Sequence, residues 1–386
     1  MINVLLMKAG VIGSGTMGSG IAQLMAMAGE EVLIYDNNPQ ACERAQAKLE
    51  KIMQRLVEKE RLSAEEAQAV LSRIVFVDNL MAFADCKLVI EAVVEDLKVK
   101  CDLFERLEDI CSSDCLLATN TSSLSVTSIA AACERPQRVL GMHFFNPAPL
   151  MKLVEVVPAL QTDRLWLGRV KEWLTKWGKI PVEAKDTPGF IVNRIARPFY
   201  GEALRILEEG LADEATIDWA MTELGGFRMG PFTLMDYIGN DVNYTVTETV
   251  FKAFYYDPRY KPAFTQKRLA EAGWLGRKTG RGYYVYEPDA SKPQPRKDPD
   301  LGEKIFRRIV LMLINEAYDA LFWKIASAED IELAMTRGVN YPKGLLQWGK
   351  EWGYDYCVEA MDELYERYRE DRYRCSPLLR ELAQQG

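Results

Sequence analysis

An α/β doubly wound sheet followed by two all-α helical domains in tandem repeat is the fold class that this 386-residue sequence predicts. Three observations carry it. A glycine-rich turn, Gly13-Ser14-Gly15-Thr16-Met17-Gly18, joins an apolar strand segment, Val11-Ile12, to a helical pattern. Short apolar runs then alternate with helical periodicity, as in a sheet buried on both faces. Residues 202 to 239 align without a gap on the residues 114 positions farther along.

The first elements define a mononucleotide unit. Ile21, Leu24, Met25 and Ala28 recur at helical spacing and Gly29 stops the helix. A second strand, Val32-Leu33-Ile34-Tyr35, ends in Asp36. Strand, glycine turn, helix, strand and acid in this order are the Rossmann-type signature of a dinucleotide site. Gly13 permits the tight turn, Gly15 lets the backbone approach a pyrophosphate, and Gly18 allows close packing of helix on strand. Thr16 and Met17 share that turn and belong with the cofactor residues. Asp36 would accept hydrogen bonds from the adenosine ribose and repel a 2′-phosphate, which favours NAD over NADP. Lys8-Ala9-Gly10 is a poor lead into a buried strand, and Met7 is an alternative start. The first ten residues do not read as a signal peptide.

On the next helix Arg44, Lys48, Lys51, Arg55 and Lys59 fall along one face, opposite Leu49, Ile52, Met53 and Leu56. Interleaved Glu43, Glu50 and Glu58 favour a solvated face over a landing strip for phosphates. The runs 74–77, 88–90, 116–118 and 139–141 then read as buried strands. Ligands enter such sheets at the strands' carboxyl ends. Glu91 and Glu95 follow one strand, Asn120-Thr121-Ser122-Ser123 another, and His143 a third.

His143 is the single histidine. It lies twelve residues before Glu155, a carboxylate inside the apolar run Lys152-Leu-Val-Glu-Val-Val157. Imidazole titrates near neutrality, and a carboxylate on its second nitrogen would fix the tautomer that accepts a proton. A lone histidine is more often an ordinary core or surface residue, so the pair gains weight from its place beside the glycine turn.

Composition sets the outer bounds. A net charge of −8 argues against nucleic acid. No apolar run approaches the roughly 18 to 20 residues of a membrane span. Eight cysteines without a C-x-x-C pair, and one histidine, make a metal site improbable and read as thiols of a reducing cytoplasm.

Read together, the glycine turn, Glu91-Ala-Val-Val-Glu95, Asn120-Thr-Ser-Ser123, His143-Phe-Phe-Asn-Pro147, Lys152-Leu-Val-Glu155 and Asp186-Thr-Pro-Gly-Phe-Ile-Val-Asn-Arg194 resemble the L-3-hydroxyacyl-CoA dehydrogenase family. Met229-Gly-Pro-Phe232 and the run Leu275 to Tyr283 extend the resemblance, which covers about residues 8 to 286. It implies NAD as cofactor and an acyl-CoA thioester as substrate. His143 is then the catalytic base and Glu155 its partner, while Ser122 and Asn193 contact the substrate oxygens. Asn193 would reach across an interdomain cleft. Glu95 and Asn120 fall to the nicotinamide end of the cofactor, Lys100 joins the cofactor-binding residues, and Lys59 falls to the coenzyme A phosphates.

The 114-residue shift sets Glu202-Ala203 on Glu316-Ala317 and Ala220-Met221-Thr222 on Ala334-Met335-Thr336. Arg307 stands where Asn193 stands, so the second copy is expected to keep the fold without the substrate role. Expected domains are 1–185 for the dinucleotide fold, 186–286 for the first helical copy, 287–300 for a flexible linker and 301–386 for a second, degenerate copy. A pseudo-dimeric monomer follows, with a homo-dimer as the alternative. Two other functions stay open at this stage: an oxidoreductase of a free hydroxy or sugar acid on the same fold, and an NAD-binding protein without catalysis.

Overall fold

The computed structural model describes residues 7–291 and 293–385. The chain divides into two compact units between Thr187 and Pro188. The first is built on a sheet of eight strands: β1 (Lys8–Ile12), β2 (Glu31–Tyr35), β3 (Ile74–Phe76), β4 (Leu88–Glu91), β5 (Leu116–Thr119), β6 (Val139–Phe144), β7 (Leu153–Pro158) and β8 (Ile180–Glu183). Their order is β3-β2-β1-β4-β5-β6-β7-β8. Every pairing is parallel except β6 with β7, which run antiparallel. Ile21 and Met25, Leu49 and Met53, and Val170 and Leu174 bring three helices onto a core that holds Val11, Ile34, Ile90 and Ala118. Burial of such apolar surface is the main force holding the sheet and its helices together.

One expectation is corrected by the start of β1. Lys8-Ala9-Gly10 does belong to β1, and Ala9 is fully buried. A side chain at position 10 would meet the Phe83 ring at 2.2 Å, so glycine is what that packing demands. The first unit runs to Thr187. Asp186 accepts hydrogen bonds from the Val126 and Thr127 amides and the Ser125 hydroxyl, capping a helix of the first unit.

The second unit contains both helical copies. Helix Glu214–Trp219 and a turn of π-helix, Ala220–Leu224, recur as Ala328–Leu333 and Ala334–Gly338. Helix Pro231–Ile238 recurs as Leu345–Trp352, and each is broken by a positive-φ glycine, Gly239 at 107° and Gly353 at 88°. Asp218 accepts from the Phe232 and Thr233 amides, and Glu332, 114 residues later, from that of Gln347.

The two helical copies pack on each other. Helix Pro299–Phe322, whose later part repeats Arg197–Glu208, packs directly on that helix. The linker is pinned as well. The Arg296 amide donates to Thr216 Oγ1, and Lys297 pairs with Glu223 at 2.8 Å.

Reciprocal ion pairs join the two copies. Arg194 Nε lies 2.8 Å from Glu316, and its repeat, Arg308 Nε, lies 2.6 Å from Glu202, the repeat of Glu316. Tyr260 donates to Glu316 and Tyr373 to Glu202. Pro258 has no counterpart in the second copy, so Arg259 and Tyr260 answer to Arg372 and Tyr373 at an offset of 113. This is the pattern of an isologous contact, in which one patch meets its own copy.

Candidate active site

The glycine turn has the three geometries its sequence demands. Gly13 takes a φ of 97°, and a side chain there would meet the Ala92 carbonyl at 2.6 Å. Gly18 sits so close to Gly13 that a side chain would come within 1.8 Å of its carbonyl oxygen. Gly15 faces open space, with nothing within 4 Å of the position a Cβ would take. It precedes helix Thr16–Met27, whose N-terminus carries no side-chain cap. A pyrophosphate fits that opening, with the free backbone N–H groups and the helix dipole to hold it.

Beside the turn lies a cavity of about 460 Å³ lined by Gly13, Gly15, Asp36, Val94 and Arg106. Asp36 accepts from the Ser14 amide at 2.7 Å and the Ser14 hydroxyl at 2.9 Å, while its other oxygen takes the Asn38 amide. A carboxylate has about four acceptor directions, so capacity remains for ribose hydroxyls. This cavity suits the adenosine half of NAD. Arg106 escaped the sequence reading because nothing in the glycine pattern points to the helix after β4.

Glu95 organises the opposite end. Its Oε1 accepts from Thr121 Oγ1 at 2.6 Å, the Ser122 amide at 3.0 Å and Ser123 Oγ at 3.0 Å. Burial alone would raise its pKa, but the Lys100 ammonium and these hydrogen bonds hold it below the ordinary glutamate range. Lys100 is almost wholly buried. Its Nζ lies 2.7 Å from Glu91 and 3.3 Å from Glu95, so it ties the two carboxylates together. Glu91 in turn accepts from Thr119 Oγ1.

His143 and Glu155 stand directly opposite each other across β6 and β7. Directly opposed residues share one face of a sheet, so the antiparallel register alone brings the two side chains together. His143 Nδ1 lies 2.6 Å from Glu155 Oε2. Both residues are buried, Glu155 completely. A buried carboxylate that receives Nδ1–H keeps the proton on that nitrogen, which leaves acid–base work to Nε2. Asn120 supports the pair, because its Oδ1 accepts from the Phe144 amide at 2.9 Å. The Phe145 ring packs on the imidazole at 4.5 Å between centroids.

The first unit therefore brings together Gly13, Gly15, Thr16, Met17, Gly18 and Asp36 at one end of the sheet edge, and Glu95, Asn120, Ser122, His143 and Glu155 farther along it. Lys59 caps the C-terminus of helix Pro39–Glu58, on the exposed face that also carries Arg44, Lys48, Lys51 and Arg55. Asn193 belongs to the second unit, half-buried on the short helix Val192–Ile195, with its carbonyl accepting from Arg197. Arg307, its counterpart, pairs with Glu303 and lies over the Trp352 ring.

Comparison with known proteins agrees with this geometry. Residues 8–187 match the 3-hydroxyacyl-CoA dehydrogenase NAD binding domain. The family's C-terminal domain matches twice, at 189–286 and 305–386. The chain is 37% identical to the 3-hydroxyadipyl-CoA dehydrogenase of Escherichia coli over 99% of its length and 98% of that protein's. It is 42% identical to a probable 3-hydroxybutyryl-CoA dehydrogenase of Deinococcus radiodurans, covering 72% of this chain and all of that one. A crystal structure described as 3-hydroxybutyryl-CoA dehydrogenase from Escherichia coli superposes with a TM-score of 0.92 at 37% identity, over 98% of both chains. Among the described residues no helix is long and apolar enough to cross a membrane. With its glycine turn, its buried histidine–glutamate pair and its two helical copies, this chain belongs to the 3-hydroxyacyl-CoA dehydrogenase family of NAD-dependent oxidoreductases.

Proposed function

We propose that the chain oxidises short-chain or dicarboxylyl L-3-hydroxyacyl-CoA thioesters, such as 3-hydroxybutyryl-CoA or 3-hydroxyadipyl-CoA, reversibly to the 3-oxoacyl-CoA, as part of acyl-CoA metabolism in a reducing cytoplasm. The observation that carries this reading is the His143–Glu155 pair, set in register at the sheet edge that the glycine turn opens. His143 Nε2 accepts the proton of the C3 hydroxyl, and Glu155 stabilises the imidazolium that forms. When bound, NAD supplies the acceptor for the hydride that leaves C3. Ser122 and Asn193 hold the substrate oxygens, Glu95 the nicotinamide end of the cofactor, and Lys59 a coenzyme A phosphate. In the reductive direction the same histidine returns the proton.

The second helical copy serves as a built-in partner, so that one chain contains the contact two subunits would otherwise make. The reciprocal pairs Arg194–Glu316 and Arg308–Glu202 support this reading, as does the packing of helix Pro299–Phe322 on Arg197–Glu208. The working form is a monomer.

A panel of L-3-hydroxyacyl-CoA thioesters of increasing length, with dicarboxylyl members and the matching free hydroxy acids, followed by NADH absorbance, tests the substrate class. Turnover of the short or dicarboxylyl thioesters and none of the free acids is the expected result. Preference for a free acid would reject it.

A further inference from the structure

Between the two helical copies lies a cavity of about 90 Å³ that the oxidation chemistry does not use. Arg205, Lys261, Arg372 and Glu208 line it, with the chain that enters helix Phe264–Glu271. At about 30 Å³ per water it is the size of a single tetrahedral oxyanion. Two arginines and a lysine against one glutamate give its wall an excess of positive charge. Glu208 takes its hydrogen bonds from the Thr265 amide and hydroxyl.

Arg372 is the residue that needs explaining. It is 6% exposed, and its Nε is buried with no hydrogen-bond partner among the described residues. The Glu370 carboxylate lies 3.7 Å away, and Arg205 already grips both of its oxygens, at 3.2 and 3.0 Å. Burial lowers the Arg372 pKa; Glu202 acts against that and neighbouring Arg205 adds to it.

The duplication provides an internal control. Arg259 is the counterpart of Arg372 in the first copy, and it too has a buried Nε without a partner. Its Nη1, however, lies 2.9 Å from Asp319 and 3.2 Å from Glu316. The residue 114 positions before Asp319 is Arg205. Where one arginine meets an aspartate of the opposite copy, its twin meets a second arginine. A buried guanidinium whose nearest carboxylate, 3.7 Å away, is already bound by another arginine is costly, and the cavity lies beside it.

We propose that this cavity binds an oxyanion of the phosphate class, held by Arg372, Arg205 and Lys261, which supplies the negative charge that Asp319 supplies at the twin position. The anion is a clasp between the two copies. It stabilises the folded chain by mass action, because the three cations converge only there.

Thermal unfolding of the full chain in millimolar inorganic phosphate, against chloride at matched ionic strength, is the test. Adenosine 3′-phosphate is the second probe. Phosphate is expected to raise the midpoint above the chloride value. The exposed-site variant Lys261→Gln should weaken phosphate binding by roughly tenfold. Arg205→Asp, which repeats the arrangement around Arg259, should abolish the increment. A larger response to inorganic phosphate identifies the free ion, and a larger response to adenosine 3′-phosphate identifies a phosphate carried on a nucleotide; either supports the site. An increment that survives both substitutions comes from elsewhere, the glycine turn included, and overturns the proposal. The absence of any increment in the unaltered chain overturns it too.

Discussion

His143 and Glu155 are twelve residues apart in sequence and directly paired in space, with Nδ1 and Oε2 at 2.6 Å. The reversal between β6 and β7 makes the pair. β6 joins the sheet parallel to β5, and β7 turns back along it, so the register that buries Met142, Val154 and Val156 also sets carboxylate against imidazole. Because Glu155 is fully buried and His143 nearly so, the contact is weakened by solvent much less than an exposed pair would be.

Glu155→Gln keeps the shape but replaces the charge that stabilises an imidazolium. Turnover is expected to fall about a hundredfold, with the substrate KM changed little. Steady-state kinetics check this, and a loss confined to KM would mean that Glu155 acts on binding instead.

Asp36→Ala should weaken NAD by roughly tenfold and NADP much less, since one cofactor loses ribose hydrogen bonds and the other is relieved of repulsion. Titration with each cofactor decides the matter. An unchanged preference would mean that the ribose is read elsewhere.

Glu95 makes a pH-dependent contribution whose sign is fixed by its lowered pKa. A carboxyl depressed in the folded state stabilises the fold above its unfolded pKa, and that contribution is lost as pH falls through the native value. Thermal midpoints measured from neutral pH down to about pH 3, below the reference glutamate pKa, should fall more steeply for the unaltered chain than for Glu95→Gln. Parallel curves would show that Glu95 gains nothing from Lys100 and the Thr121–Ser123 loop.

Glu316→Ala would leave Arg194 and Arg259 short of a buried counter-charge and Tyr260 without its acceptor. Breaking a buried pair on one side costs about 3 to 5 kcal/mol. Denaturant unfolding should show a loss of that order, and a value near zero would mean that the contact between the copies is held by apolar packing alone. In the unaltered chain, light scattering should return the monomer mass, whereas a chain ending near Pro288 should dimerise or aggregate.

The site was more legible in the sequence than its supports. Gly13, Gly15, Gly18 and Asp36 announce themselves because each position makes a local backbone or charge demand that few residues meet. Gly10 did not: its demand comes from Phe83, more than seventy residues away, so β1 seemed to begin too late. The burial of Lys100 between Glu91 and Glu95 is set by the fold and leaves no local mark in the sequence. The linker was read as flexible from its prolines and charges, while Thr216 and Glu223, which pin it, lie some eighty residues back. Arg194 and Arg308 look like ordinary helical surface charges until the repeat shows that each faces the other copy's glutamate.

The rate of NADH formation by His143→Gln, measured with the best substrate of the thioester panel, tests the central claim most directly. Loss of a general base from an intact site should lower turnover about a hundredfold or more while NAD affinity, followed by fluorescence titration, stays nearly unchanged. Turnover within about tenfold of the unaltered chain would remove His143 from the chemistry, and the account of this site with it.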